Sequence, residues 1–293
     1  MEVWTLALLM TVILSVGVFG NLNIILATLR KKHLKTKVHL LICLMALMDL
    51  ISIAFELSSA VRMFRDEKEM PRKKCFGFLW VYLTVYDAQM VIGLAVAVDR
   101  FVAVSYPMSR IPTPLILLIA CFLGAIPVFF AYLNLTDDII PICNPPLVMP
   151  EKVYFYWNGM TMVLVLSIIV IYSAVFVVIN RLEKTQKNIR QLKITKTLAS
   201  MIIAYASTKV IAVITTFFVP LILKDHAFVE AIATYMVLFV SIEYGINYWL
   251  LLLRKDDTYR RPFMEQLGLG GWLKKHAWTS DSIQRHGLGS RHS

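Results

Sequence analysis

Asp99-Arg100-Phe101 closes a long apolar run, and Arg100 stands 25 residues after Cys75. At a rise of ~1.5 Å per residue, a helix of that spacing is about 38 Å long, enough to cross a tilted bilayer. One membrane face then carries an acid beside an always-charged guanidinium, and the other a cysteine suited to an oxidising compartment. A second set of chemistry-bearing residues lies inside apolar segments: Asp49, Glu56, Asp87, Lys209 and Glu243. Ionisable groups in lipid are costly, which marks each of them as a functional candidate. A buried guanidinium needs a partner, and exchanging partners can separate two states of a protein. We find no metal-ligand spacing, nucleophile motif or phosphate-binding glycine loop, so the sequence implies no enzyme.

The elements that must position these residues are membrane spans. Of the 293 residues, 58% are hydrophobic and 17% charged, against about 45–50% and about 25% in soluble domains. The excess is concentrated in runs such as Leu115–Tyr132, Met160–Ile179 and Val210–Leu223. Seven spans are expected, at about 3–29, 38–61, 76–99, 113–133, 154–180, 197–223 and 228–253. The predicted fold is an all-α membrane protein, a seven-transmembrane helix bundle with its N-terminus outside. By depth, Asp49, Asp87, Lys209 and Glu243 fall near their span centres, and Glu56 about two turns nearer the outside.

Charge sets the orientation. With the N-terminus outside, the inner segments hold 21 Lys and Arg and the outer segments eight, the bias expected of cytosolic loops. The first outer loop is the exception, with Arg62, Arg65, Lys68, Arg72, Lys73 and Lys74. Glu2, and no Lys or Arg, precedes the first apolar run, which is long for a signal peptide; a retained helix is the expectation. The net charge of +11 gathers beside the hydrophobic ends, where it meets anionic lipid, and no basic soluble module suggests nucleic acid as a partner. Residues 1–267 read as one seven-transmembrane domain, closing in a short amphipathic helix at about 256–267, with Tyr259, Phe263, Met264 and Leu267 near one face. Residues 268–293 read as a flexible cytoplasmic tail.

Of the four cysteines, Cys43 and Cys121 fall within spans as small buried hydrophobes. Cys75 and Cys143 fall outside, where a disulfide would tie the second outer loop to the top of span three. The other reading leaves two unpaired outer cysteines. Asn134-Leu135-Thr136 fits the N-glycosylation pattern on the same face, close to the end of span four.

In order and spacing these positions resemble the rhodopsin-like G-protein-coupled receptors over about residues 3–267. Gly20-Asn21, Leu44 and Ala46 leading to Asp49, Cys75, Asp99-Arg100-Phe101 with Pro107, Cys143, Tyr172, Pro220 and Asn247 carry the resemblance. The departures are specific. Phe101 replaces a tyrosine, Phe217-Phe218-Val219-Pro220 stands where many relatives have Cys-Trp-x-Pro, and Asn247-Tyr248-Trp249-Leu250-Leu251 lacks the proline and tyrosine of Asn-Pro-x-x-Tyr. With the compact third inner loop, they look most like nematode serpentine chemoreceptors of the SX type.

The resemblance implies a plasma-membrane receptor, chemosensory and of sensory cells or cilia, that binds a small extracellular chemical or a short peptide. Its implied partner is a heterotrimeric G protein, met through Asp99, Arg100, Phe101 and Tyr172. Asp49 would hold sodium with Asn21 and Asn247 nearby and Glu243 as a second acid. Lys209 would be the counterion of Asp87 or of Glu243, or would pair with neither and snorkel or meet water. Tyr82, Tyr86, Trp157, Asn158, Phe217, Phe218, Tyr235 and Glu56 would line the ligand site. Tyr82 stands where amine receptors carry aspartate, which argues against a biogenic amine, and the cationic first outer loop would steer an acidic ligand inward. The alternatives are a poorly signalling receptor-fold subunit of a homo- or hetero-oligomer, and a transporter or channel built on the mid-membrane charges.

Overall fold

A computed structural model describes residues 3–67, 69–105, 112–183, 203, 207–218, 222, 226–253 and 257–268. Inside lipid a backbone must satisfy its own hydrogen bonds, so each apolar run is helical. Six helices are long and apolar enough to cross a membrane: α1 (Val3–Arg30), α2 (Lys37–Phe64), α3 (Arg72–Ser105), α4 (Thr113–Leu133), α6 (Glu151–Glu183) and α8 (His226–Leu253). The described part of the sixth span is α7, Ser207–Phe218. A single turn, α5 (Pro145–Val148), lies in the second outer loop, and α9 (Asp257–Gln266) follows α8. Spans five, six and seven are therefore α6, α7 and α8. Pro107 and Pro220 lie outside the described residues, as do most of the third inner loop and nearly all of the 268–293 tail.

Several helices run beyond the spans the sequence suggests. α3 begins at Arg72, so Arg72, Lys73 and Lys74 form its first turn and not a loop. The helical ladder continues past the hydrocarbon into the headgroup zone, which tolerates charge. Leu118, Phe122 and Phe129 on α4 and Val163 and Val170 on α6 are more than half exposed. So broad an apolar exterior is a lipid-facing surface.

Helix α3 is the axis of the bundle. It packs on α2, α4 and α6 and on the short α5, while α1 joins α2 to α8. Buried Met90, Ala97, Ala120, Ile168 and Tyr172 knit α3, α4 and α6 together. Two glycines set the closest approaches. A Cβ on Gly124 would fall 2.6 Å from the backbone N of Ala88, so α4 rides directly on α3. A Cβ on Gly20 would fall 2.7 Å from Tyr248 Cβ, so α1 meets α8 equally closely.

The tail helix behaves differently from a helix lying on lipid. Tyr259 and Phe263 are buried in a cluster with Ile24, Ala27, Ile42, Tyr248 and Leu251, so most of its apolar face packs on the bundle. Only Leu267 remains as an exposed large hydrophobic at its end. Pro262 removes the N–H that would serve the Thr258 carbonyl, and His33 Nε2 stands 3.4 Å from that oxygen.

Candidate functional site

The inner end of α3 carries a three-residue clamp. Arg100 donates through Nε to Asp99 Oδ2 at 3.2 Å and again through Nη2, and Lys37 Nζ donates to Asp99 Oδ1. One carboxylate thus serves two cations, Arg100 from its own helix and Lys37 from the first turn of α2. Lys37 carries no signal of this role in the sequence, because no pattern shows that the α2 start faces the α3 end. Buried Tyr172 on α6 stands within electrostatic reach of both Asp99 and Arg100. Phe101 packs toward Val175 and Ile179 of α6, an apolar seat that a phenylalanine fills without an unmet hydroxyl.

The bundle centre holds the costly charges. Lys209 is wholly buried, and its Nζ lies 3.2 Å from Glu243 Oε1 and 3.6 Å from the centre of the Tyr86 ring. Of the two acids proposed for Lys209, the ion pair forms with Glu243. Asp87 instead accepts a 2.8 Å hydrogen bond from Trp157 Nε1. Asp49 Oδ1 accepts from Gln89 Nε2 at 2.6 Å, and Asn247 faces the same carboxyl. Asn21 donates to the carbonyls of Tyr244 at 2.7 Å and Gly17 at 3.0 Å, which fixes α1 to α8. Gln89 and Tyr244 are additions that charge alone did not reveal.

Above this centre, a cleft of about 600 Å³, including space open to solvent, is bounded by α2, α3, α6, α7 and α8 and roofed by Pro145 and Pro146. Glu56, Tyr82, Tyr86, Trp157 and Asn158 line it, as expected, together with Tyr154 and Thr216. Tyr82 Oη shares a 2.9 Å hydrogen bond with Tyr244 Oη. Tyr154 Oη donates to the Thr216 carbonyl at 2.9 Å, and Thr216 Oγ1 to Asn158 Oδ1 at 3.2 Å, stapling α6 to α7.

Three expected lining residues fall elsewhere. Phe218 is 43% exposed and borders an outer groove with Met162, Leu166 and Ile214. The inward face of α7 is set by Lys209, Ala212, Val213 and Thr216, and two further residues turn about 200° around a helix. Phe217 packs against Phe155 in a tilted ring pair with centres 5.0 Å apart. Tyr235 packs with the α1, α2 and α8 cluster that includes Leu6, Met10 and Tyr244.

The outer lid is tied at several points. Cys75 and Cys143 form a disulfide, and Met70–Pro71 pairs antiparallel with Ile139–Ile140. Arg72 grips Asp138 through Nε (2.9 Å to Oδ1) and Nη2 (2.6 Å to Oδ2), and its Nη1 donates to the Leu147 and Met149 carbonyls. Those bonds, with one from the Thr136 hydroxyl, hold the Asp138 carboxyl well below the usual carboxylate range. Lys73 pairs with Asp137 at 2.6 Å. Asn134 is exposed at the C-cap of α4, where its side-chain amide donates to the Phe130 carbonyl at 2.9 Å.

A seven-helix bundle with a disulfide-tied lid, an outer cleft and an inner acid–arginine clamp is the architecture of a G-protein-coupled receptor. Residues 14–267 match the family described as serpentine type 7TM GPCR chemoreceptor Srsx, and the chain belongs to that family. It is also similar to the D(2) dopamine receptor A of Xenopus laevis, with 26% identity over 198 residues, 63% of this chain and 44% of that receptor. The match therefore spans less than half the length of the dopamine receptor.

Proposed function

We propose that this receptor senses a small extracellular chemical or a short peptide in its outer cleft and signals to a heterotrimeric G protein at its inner face. The observation that carries the reading is the course of α3. Its outer half lines the cleft with Tyr82 and Tyr86, and its inner end bears the Asp99–Arg100 pair. One rigid element joins the two faces, so a ligand that shifts α3 against α6 or α7 changes the setting of Arg100. The family match supports a chemosensory role at the plasma membrane.

Asp49 belongs to the same reading. Its Oδ2, with Ser52 Oγ and Gln89 Oε1, is a buried oxygen without a hydrogen-bond partner among the described residues. Such a set of oxygens suits a hard monovalent cation such as sodium.

The test is G-protein activation in cells expressing the full chain, under a screen of small molecules and short peptides. Arg100→Ala is expected to abolish the response with surface expression retained. A response, flux or current that survives in that mutant overturns the reading. Lys37→Ala, which removes the second cation from Asp99, is expected to change basal signalling several-fold, while Lys37→Arg leaves it near wild type.

A further inference from the structure

The geometry points to a small organic cation, an amine carrying one ammonium group, as the ligand class of the outer cleft, with Glu56 as its counter-charge. This rests on the reading of the cleft as the ligand site.

Glu56 is 2% exposed, and its Oε1 has no hydrogen-bond partner among the described residues although it lines the cleft. The Tyr82 hydroxyl stands close to the carboxyl, and Arg62 and Lys209 act on it from a distance, but each of these cations has its closest contacts elsewhere. Arg62 donates to Ser59 Oγ and lies 4.4 Å from the centre of the Phe78 ring. Lys209 is paired with Glu243. A buried carboxylate without a paired cation is costly, and a ligand ammonium would offset that cost directly.

The rest of the wall suits the same charge. Tyr82, Tyr86, Trp157 and Tyr154 form a continuous aromatic band, with successive ring centres 6.1, 5.9 and 6.4 Å apart. Aromatic faces attract cations, and more strongly once water is excluded. This band already does so once, since the Lys209 ammonium sits 3.6 Å from the Tyr86 ring centre.

An anion would find the opposite. Among the described residues lining the cleft there is no Lys, Arg or His, and the Pro145–Pro146 roof has no backbone N–H to donate. The basic outer loop, which suggested steering of acids, has spent Arg72 on Asp138 and Lys73 on Asp137. The absence of an aspartate at Tyr82 therefore moves the counter-charge from α3 to α2 and does not remove it.

The test measures binding to the purified full-length receptor by thermal shift, with 2-phenylethylamine, 2-phenylethanol and phenylacetate as matched cation, neutral and anion. Primary amines from methylamine to tryptamine extend the series. The amines are expected to raise the melting temperature where their neutral and anionic counterparts do not. Glu56→Gln should weaken the best amine at least tenfold, and Glu56→Asp, which keeps the charge, should keep the preference for cations. Equal or tighter binding of the neutral or anionic counterpart overturns the inference, as does silence of the whole amine series at millimolar concentration. An unchanged amine affinity in Glu56→Gln overturns it too. Amine binding without G-protein activation would sink the signalling reading and leave the cation site standing.

Discussion

Asp49 and Glu56 lie seven residues apart on one face of α2, and each keeps one buried oxygen without a hydrogen-bond partner among the described residues, yet their surroundings differ. Asp49 sits in a centre where acids have partners: Gln89 for Asp49, Trp157 for Asp87 and Lys209 for Glu243. Glu56, two turns outward, faces a cleft with one oxygen unanswered. The lesson is that burial alone does not separate a structural charge from a recognition charge. What separates them is what surrounds the carboxyl: packed polar side chains, Gln89 and Asn247, at Asp49, and the wall of a cleft at Glu56.

The hardest blow to that contrast is Lys209→Met. It leaves Glu243 buried and unpaired, a loss of about 3–5 kcal/mol, so surface receptor should fall steeply. The double variant Lys209→Met/Glu243→Gln should recover much of it. Normal surface labelling of the single variant would show that the centre is not held by paired charge. Gln89→Leu should be milder, since it strands one Asp49 oxygen at about 1–3 kcal/mol. A drop of several degrees in the melting temperature of the solubilised receptor would register it.

Glu56→Gln should do little to the unliganded protein, within about 1 kcal/mol, because its Oε1 has no partner to lose and an amide can keep the contact with Tyr82. A large destabilisation there would make Glu56 a structural charge like its neighbour. The smallest effect concerns pH and the lid. A carboxyl whose pKa is depressed on folding contributes fully above its unfolded value of ~3.9 and loses that contribution only as pH falls toward the folded value. The Arg72–Asp138 tie should therefore be indifferent between pH 8 and pH 5, as hydrogen exchange at the Arg72 amide would report. Any change in ligand binding across that range then arises in the cleft and not in the lid.

Depth was legible in the sequence and azimuth was not. Hydropathy and helical rise place Lys209, Asp87 and Glu243 at one level of the membrane, but choosing between the two acids needs the rotation of α7 and α8. The same blindness put Phe218 in the cleft, although it faces outward beside Met162. Cys75 and Cys143 were easier, because sidedness alone brings them to one face. Lys37 was out of reach, since its partner Asp99 is 62 residues away and one more loop lysine carries no signal. Tyr259 and Phe263 show a helical apolar face equally well whether lipid or the bundle covers it.

The clamp at the inner face has a consequence for how readily the molecule changes state. A carboxylate held by a single cation is left bare in low dielectric when that cation departs, and the departing state bears the whole cost. Asp99 is held by two, from different helices. In the switch proposed above, in which Arg100 swings away, Lys37 would stay behind and keep the acid neutralised. The gap between resting and rearranged populations would then be narrower than with one cation, and each ~1.4 kcal/mol by which it narrows makes the rearranged population about ten times larger. A loosely held equilibrium of this kind answers to weak ligands, because little binding energy is needed to tip it.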